Sequence, residues 1–165
     1  MRAIAFTGNS NSGKTTLIEK LALYLRENAP YKRIAIIKHD PKDKAQLDTQ
    51  GKDSARFFES GADVVILGNT QTTLRFHKAL SIESIKTQFS SYDYLFVEGL
   101  KELPLPRICV ARDFFDTRFL PFIQAIAIDS SIKKESLASY KLQILDLNNP
   151  LAILEWINTF IKDIE

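Results

Sequence analysis

The chain has 165 residues, which fits one domain and leaves no room for two substantial hydrophobic cores. Hydrophobic residues make up 45% and charged residues 25%, a balance that excludes disordered, collagen-like and disulfide-scaffold classes. Lys plus Arg number 22 against 20 Asp plus Glu, and a net charge of +2 lacks the basic footprint of a nucleic-acid binder.

Ala3-Ile4-Ala5-Phe6 is a short apolar run that ends at Gly8, and Leu17, Leu21 and Leu25 then recur at four-residue spacing with Ile18 beside them. This predicts strand, loop, helix. Residues 33–38 carry Ile34, Ile36 and Ile37 as a second strand, completing a βαβ crossover. A polar stretch over 39–51 precedes a predicted helix over 52–60, with Ala55, Phe57 and Phe58 as its apolar positions and Gly61 as its stop. Residues 62–67 read as a strand and 73–77 as a short antiparallel companion. Ile82, Ile85 and Phe89 space a helix, and Tyr94-Leu95-Phe96-Val97 is a core strand closed by Glu98-Gly99. After a proline-marked turn over 103–106 come strands over 108–111 and 124–128. Asn149 and Pro150 signal an N-cap and a first-turn proline for a last helix with Leu151, Leu154, Ile157, Ile161 and Ile164 on one face. The pattern predicts an α/β domain over 1–165 with a mostly parallel central sheet, helices on both faces and a short antiparallel companion strand.

The apolar setting of Cys109, between Ile108 and Val110, marks a buried structural thiol. The N-terminus opens directly into a strand pattern without a signal-peptide profile, and no apolar run approaches membrane-spanning length, so a cytoplasmic location with no membrane partner is expected.

Gly8-Asn9-Ser10-Asn11-Ser12-Gly13-Lys14-Thr15 matches G-x-x-x-x-G-K-[ST] between a predicted strand and a predicted helix, the setting in which the motif cradles nucleotide phosphates. By average residue usage the bare pattern arises in about one chain per hundred of this length, before the flanking strand and helix are demanded. Glycines permit the tight backbone path, the amides from Asn11 through Ser12, Gly13, Lys14 and Thr15 converge on phosphate oxygens, and the helix N-terminus adds partial positive charge. Lys14 reaches the β and γ phosphates, Thr15 offers its hydroxyl to Mg²⁺, and Thr16 is placed for the α phosphate.

Magnesium in such a site needs a carboxylate at the end of a neighbouring core strand. Glu98 meets that requirement, just outside the carboxyl end of the most apolar strand, and Gly99 would let the backbone approach the γ phosphate. Asp93 begins the same strand and belongs at its far end. Asp40 and Asp48 lie on the polar stretch after the second strand, and Asp48 is the preferred second metal ligand of the two. Asp129 stands either as a base-reading carboxylate or as a cap for the segment near Ile132, while His77 reads as structural and Arg56 as a surface arginine.

The ordered set of Gly8 through Lys20, Lys38-His39-Asp40, Gly51-Lys52-Asp53-Ser54, Ser60-Gly61-Ala62-Asp63-Val64 and Val97-Glu98-Gly99 with Lys101 resembles the GTP-binding adapter family of molybdopterin-guanine dinucleotide biosynthesis, MobB. The blocks span roughly the first hundred residues. The resemblance implies a homodimer that binds GTP with Mg²⁺, has weak intrinsic GTPase activity, and assists a MobA-type molybdopterin guanylyltransferase, with molybdopterin a further candidate ligand. Guanine specificity rests on the resemblance alone, since the Asn-Lys-x-Asp base-reading motif is absent. No water-orienting residue or arginine finger has a signature, so catalytic residues stay unassigned and turnover should be slow. The competing reading on the same scaffold is an ATP-dependent small-molecule kinase or ligase with a second pocket for an acceptor. A metallochaperone GTPase would display a His or Cys cluster, and two histidines with one cysteine argue against it.

Overall fold

Ala3, Ile4, Ala5 and Phe6 are all fully buried, so the first strand is covered on both faces and must be central in its sheet. In chain order the elements are β1 (Arg2–Thr7), α1 (Lys14–Asn28), β2 (Ile34–Lys38), α2 (Asp53–Glu59), β3 (Val64–Leu67), β4 (Thr72–Arg75) and α3 (Ile82–Gln88). They continue as β5 (Tyr94–Glu98), β6 (Arg107–Ala111), β7 (Ala125–Ile128), β8 (Gln143–Asp146) and α4 (Pro150–Phe160), with 3₁₀ helices at Thr117–Phe122 and Lys134–Tyr140. The computed structural model describes residues 1–45 and 48–163. The chain divides into two compact units, Met1–His39 with Phe89–Glu165, and Asp40–Gln88.

The first unit holds a six-stranded sheet in the order β2-β5-β1-β6-β7-β8, every pairing parallel. Strand alternation sends Ile4, Phe6, Tyr94, Phe96, Ile108 and Val110 to the face covered by α1 and α4. There Leu17, Ile18, Leu21 and Leu25 meet Ile153, Leu154, Trp156 and Ile157, and Phe6 sets its ring edge-on to Phe96 at 5.7 Å. The opposite face is closed by loops and 3₁₀ turns: Ile123, Ile132 and Leu137 cover Cys109, Ile126 and Ile128, while Phe89, Tyr92, Leu103 and Leu105 cover Ala3, Ala5, Leu95 and Val97. Among the described residues no helix is long and apolar enough to cross a membrane.

The expected elements are present, with differences at the C-terminal end. β8 and the 3₁₀ helix at Thr117–Phe122 have no signal in the sequence, because Gln143-Ile144-Leu145-Asp146 is too short to show a period and the 3₁₀ segment carries Pro121, whereas the helical segment expected near Ile132 is the 3₁₀ helix Lys134–Tyr140. On α4 the Asn149 side chain caps the Ala152 amide at 3.0 Å, as the sequence predicts. Of the expected face Leu154, Ile157 and Ile161 are buried, joined by Ile153 and Trp156; Leu151 is 45% exposed, and Ile164 lies outside the described residues.

In the second unit β3 and β4 pair antiparallel as a sheet of their own, Val64 opposite Arg75 and Leu67 opposite Thr72. Phe58 stacks against His77 at 3.8 Å and lies beneath the Arg75 guanidinium at 3.6 Å, and His77 Nε2 contacts the Phe58 carbonyl at 2.9 Å. His77 thus has a packing role. Phe57, expected to be buried, is 60% exposed, and Ala55 is the single fully buried apolar residue among those described in this unit.

Asp93 lies at the entrance to β5, where its carboxylate accepts from Lys32 Nζ and from the Arg33 amide, each at 2.8 Å. The Lys32 hydrogen bond, then the Arg33 amide, hold its carboxyl below the ordinary carboxylate range. A depressed carboxyl contributes stability that is present above the unfolded-state value and is lost as pH falls through the native one. Asp93→Asn should therefore be less stable than the parent near neutral pH, and urea melts should show the gap narrowing as pH falls below the ordinary carboxylate range of about 4.

Candidate functional site

The motif from Gly8 to Thr15 turns at the carboxyl end of β1 and runs into α1 with φ of 137° at Gly8, 61° at Asn11 and 95° at Gly13. Such positive φ values turn successive amides inward as an anion-binding nest. A Cβ at Gly8 would stand 2.2 Å from the Val110 carbonyl oxygen and 2.9 Å from Ser12 Oγ, so β6 itself enforces glycine there. Gly13 is the N-cap of α1 and supplies no side-chain cap, and the first turn holds no acidic residue. The helix end therefore keeps its partial positive charge for an incoming anion. The amides of Asn11, Gly13, Lys14, Thr15 and Thr16 find no acceptor among the described residues.

Lys14 folds back over this nest, donating from Nζ to the Gly8 carbonyl at 3.2 Å and to the Asn9 carbonyl. Burial lowers the pKa of its ammonium, and the Glu98 carboxylate acts in the opposite sense. An ammonium held only by neutral carbonyls gains a stronger partner when an anionic phosphate enters. Among the described residues Ser12 Oγ has no hydrogen-bond partner although it is buried, and a phosphate oxygen would satisfy it.

Glu98 ends β5 opposite Phe6 of β1, a register that carries its carboxylate to the first turn of α1. Thr15 Oγ1 donates to Oε1 at 2.9 Å and Oε2 at 3.0 Å. One hydroxyl and one carboxylate side by side, with Thr15 open to solvent, fit a hard cation that prefers oxygen and keeps several waters. No group of three or more His, Cys, Asp or Glu side chains suited to a metal occurs among the described residues. The donor set therefore fits a Mg²⁺ shared with phosphates and does not fit a cage built from protein alone. Gly99, at φ 90°, has His39 Cβ 3.1 Å from where its own Cβ would lie, so this glycine also serves the close passage of the segment after β2.

Asp48 belongs to the second unit, where its carboxylate takes the Thr49 amide at 2.8 Å and the Ser54 hydroxyl at 3.2 Å and pairs with Arg75 at 3.8 Å. Arg56 is exposed on α2 and paired with Asp53 at 3.6 Å. Cys109 is buried and its thiol is pushed up to about 12 by desolvation, so it stays protonated and inert at neutral pH.

Two arginines escaped sequence reasoning. Arg112, directly after β6, lies against Gly13 with its Cζ 3.2 Å from the place of a Cβ, and it is paired with Asp129 at 3.1 Å through an Nε–H not aimed at the carboxylate. Asp129 in turn accepts from the Ser131 amide and hydroxyl, which hold its carboxyl below the usual range. It therefore closes a local turn and braces Arg112; the 3₁₀ helix that follows is flanked by Lys133, which makes no side-chain cap. Arg107 opens β6 and is 3% exposed; its guanidinium donates to the carbonyls of Leu100 (2.8 Å), Lys101 (2.9 Å), Leu103 (2.7 Å) and Gly99 (3.4 Å). One buried cation thus shapes the loop that follows Glu98. A basic residue at a strand start has no pattern that announces such a role.

Gly8→Ala should cost about 3 kcal/mol of stability, from backbone strain of about 1 kcal/mol and overpacking of about 2 kcal/mol, measurable by urea titration. Gly61→Ala places its Cβ in open space and should show the strain contribution alone.

The family model for molybdopterin guanine dinucleotide synthesis protein B matches residues 3–129. A Haemophilus influenzae protein named molybdopterin-guanine dinucleotide biosynthesis adapter protein is 34% identical over 167 residues, covering 96% of this chain and 88% of its own. A relative from Methanocaldococcus jannaschii is 34% identical over 119 residues, 68% of this chain and 48% of its own, so this chain spans about half of that longer protein. The crystal structure of Bacillus subtilis MobB superposes with a TM-score of 0.75 at 24% identity, covering 99% of this chain and 100% of that one, and so shares the fold. With the family model spanning the P-loop, Glu98 and Asp129 alike, this chain belongs to the MobB family.

Proposed function

We propose that the protein binds GTP with Mg²⁺ on the Gly8–Thr16 loop and acts as an accessory adapter to a MobA-type guanylyltransferase in making molybdopterin guanine dinucleotide. The observation that carries the nucleotide reading is the Thr15–Glu98 contact at the mouth of an amide nest whose donors await an acceptor. The biosynthetic assignment is supported by family membership and by the name of the Haemophilus influenzae relative.

In this reading the amides of Asn11 to Thr16 and the Lys14 ammonium hold the triphosphate, Ser12 Oγ takes a phosphate oxygen, and Thr15 with Glu98 holds the metal, which supplies charge neutralisation between phosphates. Hydrolysis is slow, because Arg56 is committed to the α2 surface and Arg112 is braced by Asp129. A cytoplasmic homodimer completes the proposal. Its support is the apolar surface of the second unit, where Val65, Leu67 and Leu74 are each more than half exposed on a two-stranded sheet too small to be stable in isolation.

Titration with fluorescent GTP and ATP analogues, with and without Mg²⁺, tests the nucleotide reading. GTP should be preferred and Mg²⁺ should strengthen its binding, Lys14→Ala should lose about two orders of magnitude in affinity, and Glu98→Gln should abolish most of the Mg²⁺ dependence. A preference for ATP would instead favour the kinase or ligase reading. Sedimentation should find a dimer in the parent and a monomer in Leu67→Glu, since a charge cannot be buried unpaired in an apolar contact.

A further inference from the structure

Beside the first half of the P-loop lies a cleft of about 510 Å³, within the size range of small-molecule sites. Its walls are Thr7 to Ser10, the loop bearing Lys101 and Glu102, Arg107, and the residues Asp116, Arg118, Phe119 and Phe122. Asn11 to Thr16 and Glu98 take no part in the lining, so the cleft adjoins the phosphate nest without coinciding with it. Lys14, which serves β and γ phosphates in such loops, rests on the Gly8 and Asn9 carbonyls. The wall shared by nest and cleft therefore flanks the terminal phosphate, and the nucleotide's base, at the other end of the triphosphate, points elsewhere.

The charges of the cleft select its occupant. Asp116 is neutralised by Arg118, which reaches it through Nε at 3.0 Å and through an Nη at 2.6 Å. Arg107 has no carboxylate in ion-pair contact among the described residues, only loop carbonyls, and Lys101 holds its ammonium 5.4 Å from the centre of the Phe119 ring. Lys101, Arg107 and Arg118 thus outnumber the carboxylates Glu102 and Asp116 in the lining, with Glu102 acting on Arg107 through space, and the excess of one positive charge favours an anion. Phe119 and the 59% exposed Phe122 add ring faces that favour a planar partner. Arg107 fixes the Lys101 loop through its carbonyls, so the cleft is shaped before any ligand arrives.

We propose that this cleft binds a second ligand beside the nucleotide, a planar heteroaromatic anion of the pterin class, with its acidic group toward Lys101 and its ring against Phe119 and Phe122. The choice of a pterin among such anions rests on the biosynthetic reading above; the cleft's separation from the nucleotide does not.

The test is a fluorescence titration of the full chain with carboxypterin, in the presence and absence of saturating GTP and Mg²⁺. Saturable binding is expected in both conditions, with affinities within about twofold of each other. Lys101→Gln and Phe119→Ala should each weaken it about ten-fold, the loss of roughly one good contact, while both thermal melts and the GTP affinity of Phe119→Ala stay at parental values. The proposal is overturned if the parent binds GTP but not carboxypterin, if GTP displaces carboxypterin, or if both variants bind it as the parent does. Carboxypterin binding without GTP binding would leave the cleft standing and remove the nucleotide reading. Failure of both ligands would remove both.

Discussion

The site depends on one register: β5 pairs with β1 so that Glu98 stands opposite Phe6, two residues before the turn at Gly8. Because the strands are parallel, both chains leave the sheet at the same end, and the carboxylate that ends β5 meets the hydroxyl that begins α1. The register is held by apolar packing on both sides of the sheet, with Phe96 against Phe6 on one face and Leu95 and Val97 beside Ala3 and Ala5 on the other. A slip by one residue would turn each of these side chains to the wrong face, so core packing fixes the site's geometry. The polar contact itself contributes little to folding and is left free to exchange for a ligand.

The same pairing determines what the backbone must do next. β6 runs past the carboxyl end of β1, and the Val110 carbonyl occupies the space that a side chain at Gly8 would need. Arg112, one residue beyond β6, then lies against Gly13 at the opposite end of the loop. The P-loop is thus confined at both of its glycines by one neighbouring strand. Such confinement stabilises the positive-φ backbone that aims the amides inward, which an isolated peptide of this sequence would not hold.

Local signals in the sequence mark the Gly8–Thr15 loop between β1 and α1, Glu98 at the end of β5 and the cap of α4, because each is a residue type at a fixed offset from a periodic run. Signals that depend on tertiary placement were invisible. Arg107 and Arg112 bracket the apolar run Ile108 to Ala111 like ordinary strand-end charges, yet one is buried among carbonyls and the other braces the loop. Asp129 could be a base reader or a cap on spacing alone; only the proximity of Ser131 and Arg112 shows its structural engagement. Phe57 fits a helical apolar stripe but is exposed, since seven-residue α2 buries only Ala55. β8 is legible only through its pairing with β7.

A net charge of +2 conceals a gathering of charges of both signs around the site. Lys14 and Arg112 lie at the carboxyl ends of β1 and β6, and Lys101 and the Arg107 guanidinium lie at the loop after β5, among the carboxylates Glu98, Glu102, Asp116 and Asp129; of the four cations only Arg112 has a carboxylate in ion-pair contact among the described residues. Cations gathered in a concave region with low-dielectric walls act far more strongly on a small anion entering it than on a duplex lying across the surface. Two of the four hold backbone carbonyls, Lys14 across the P-loop and Arg107 across the loop after Glu98, so the charges that would attract an anion also shape the backbone around them. Removing either cation should therefore disturb shape and field together, whereas Lys101, whose ammonium rests on an aromatic ring, contributes field with little scaffolding.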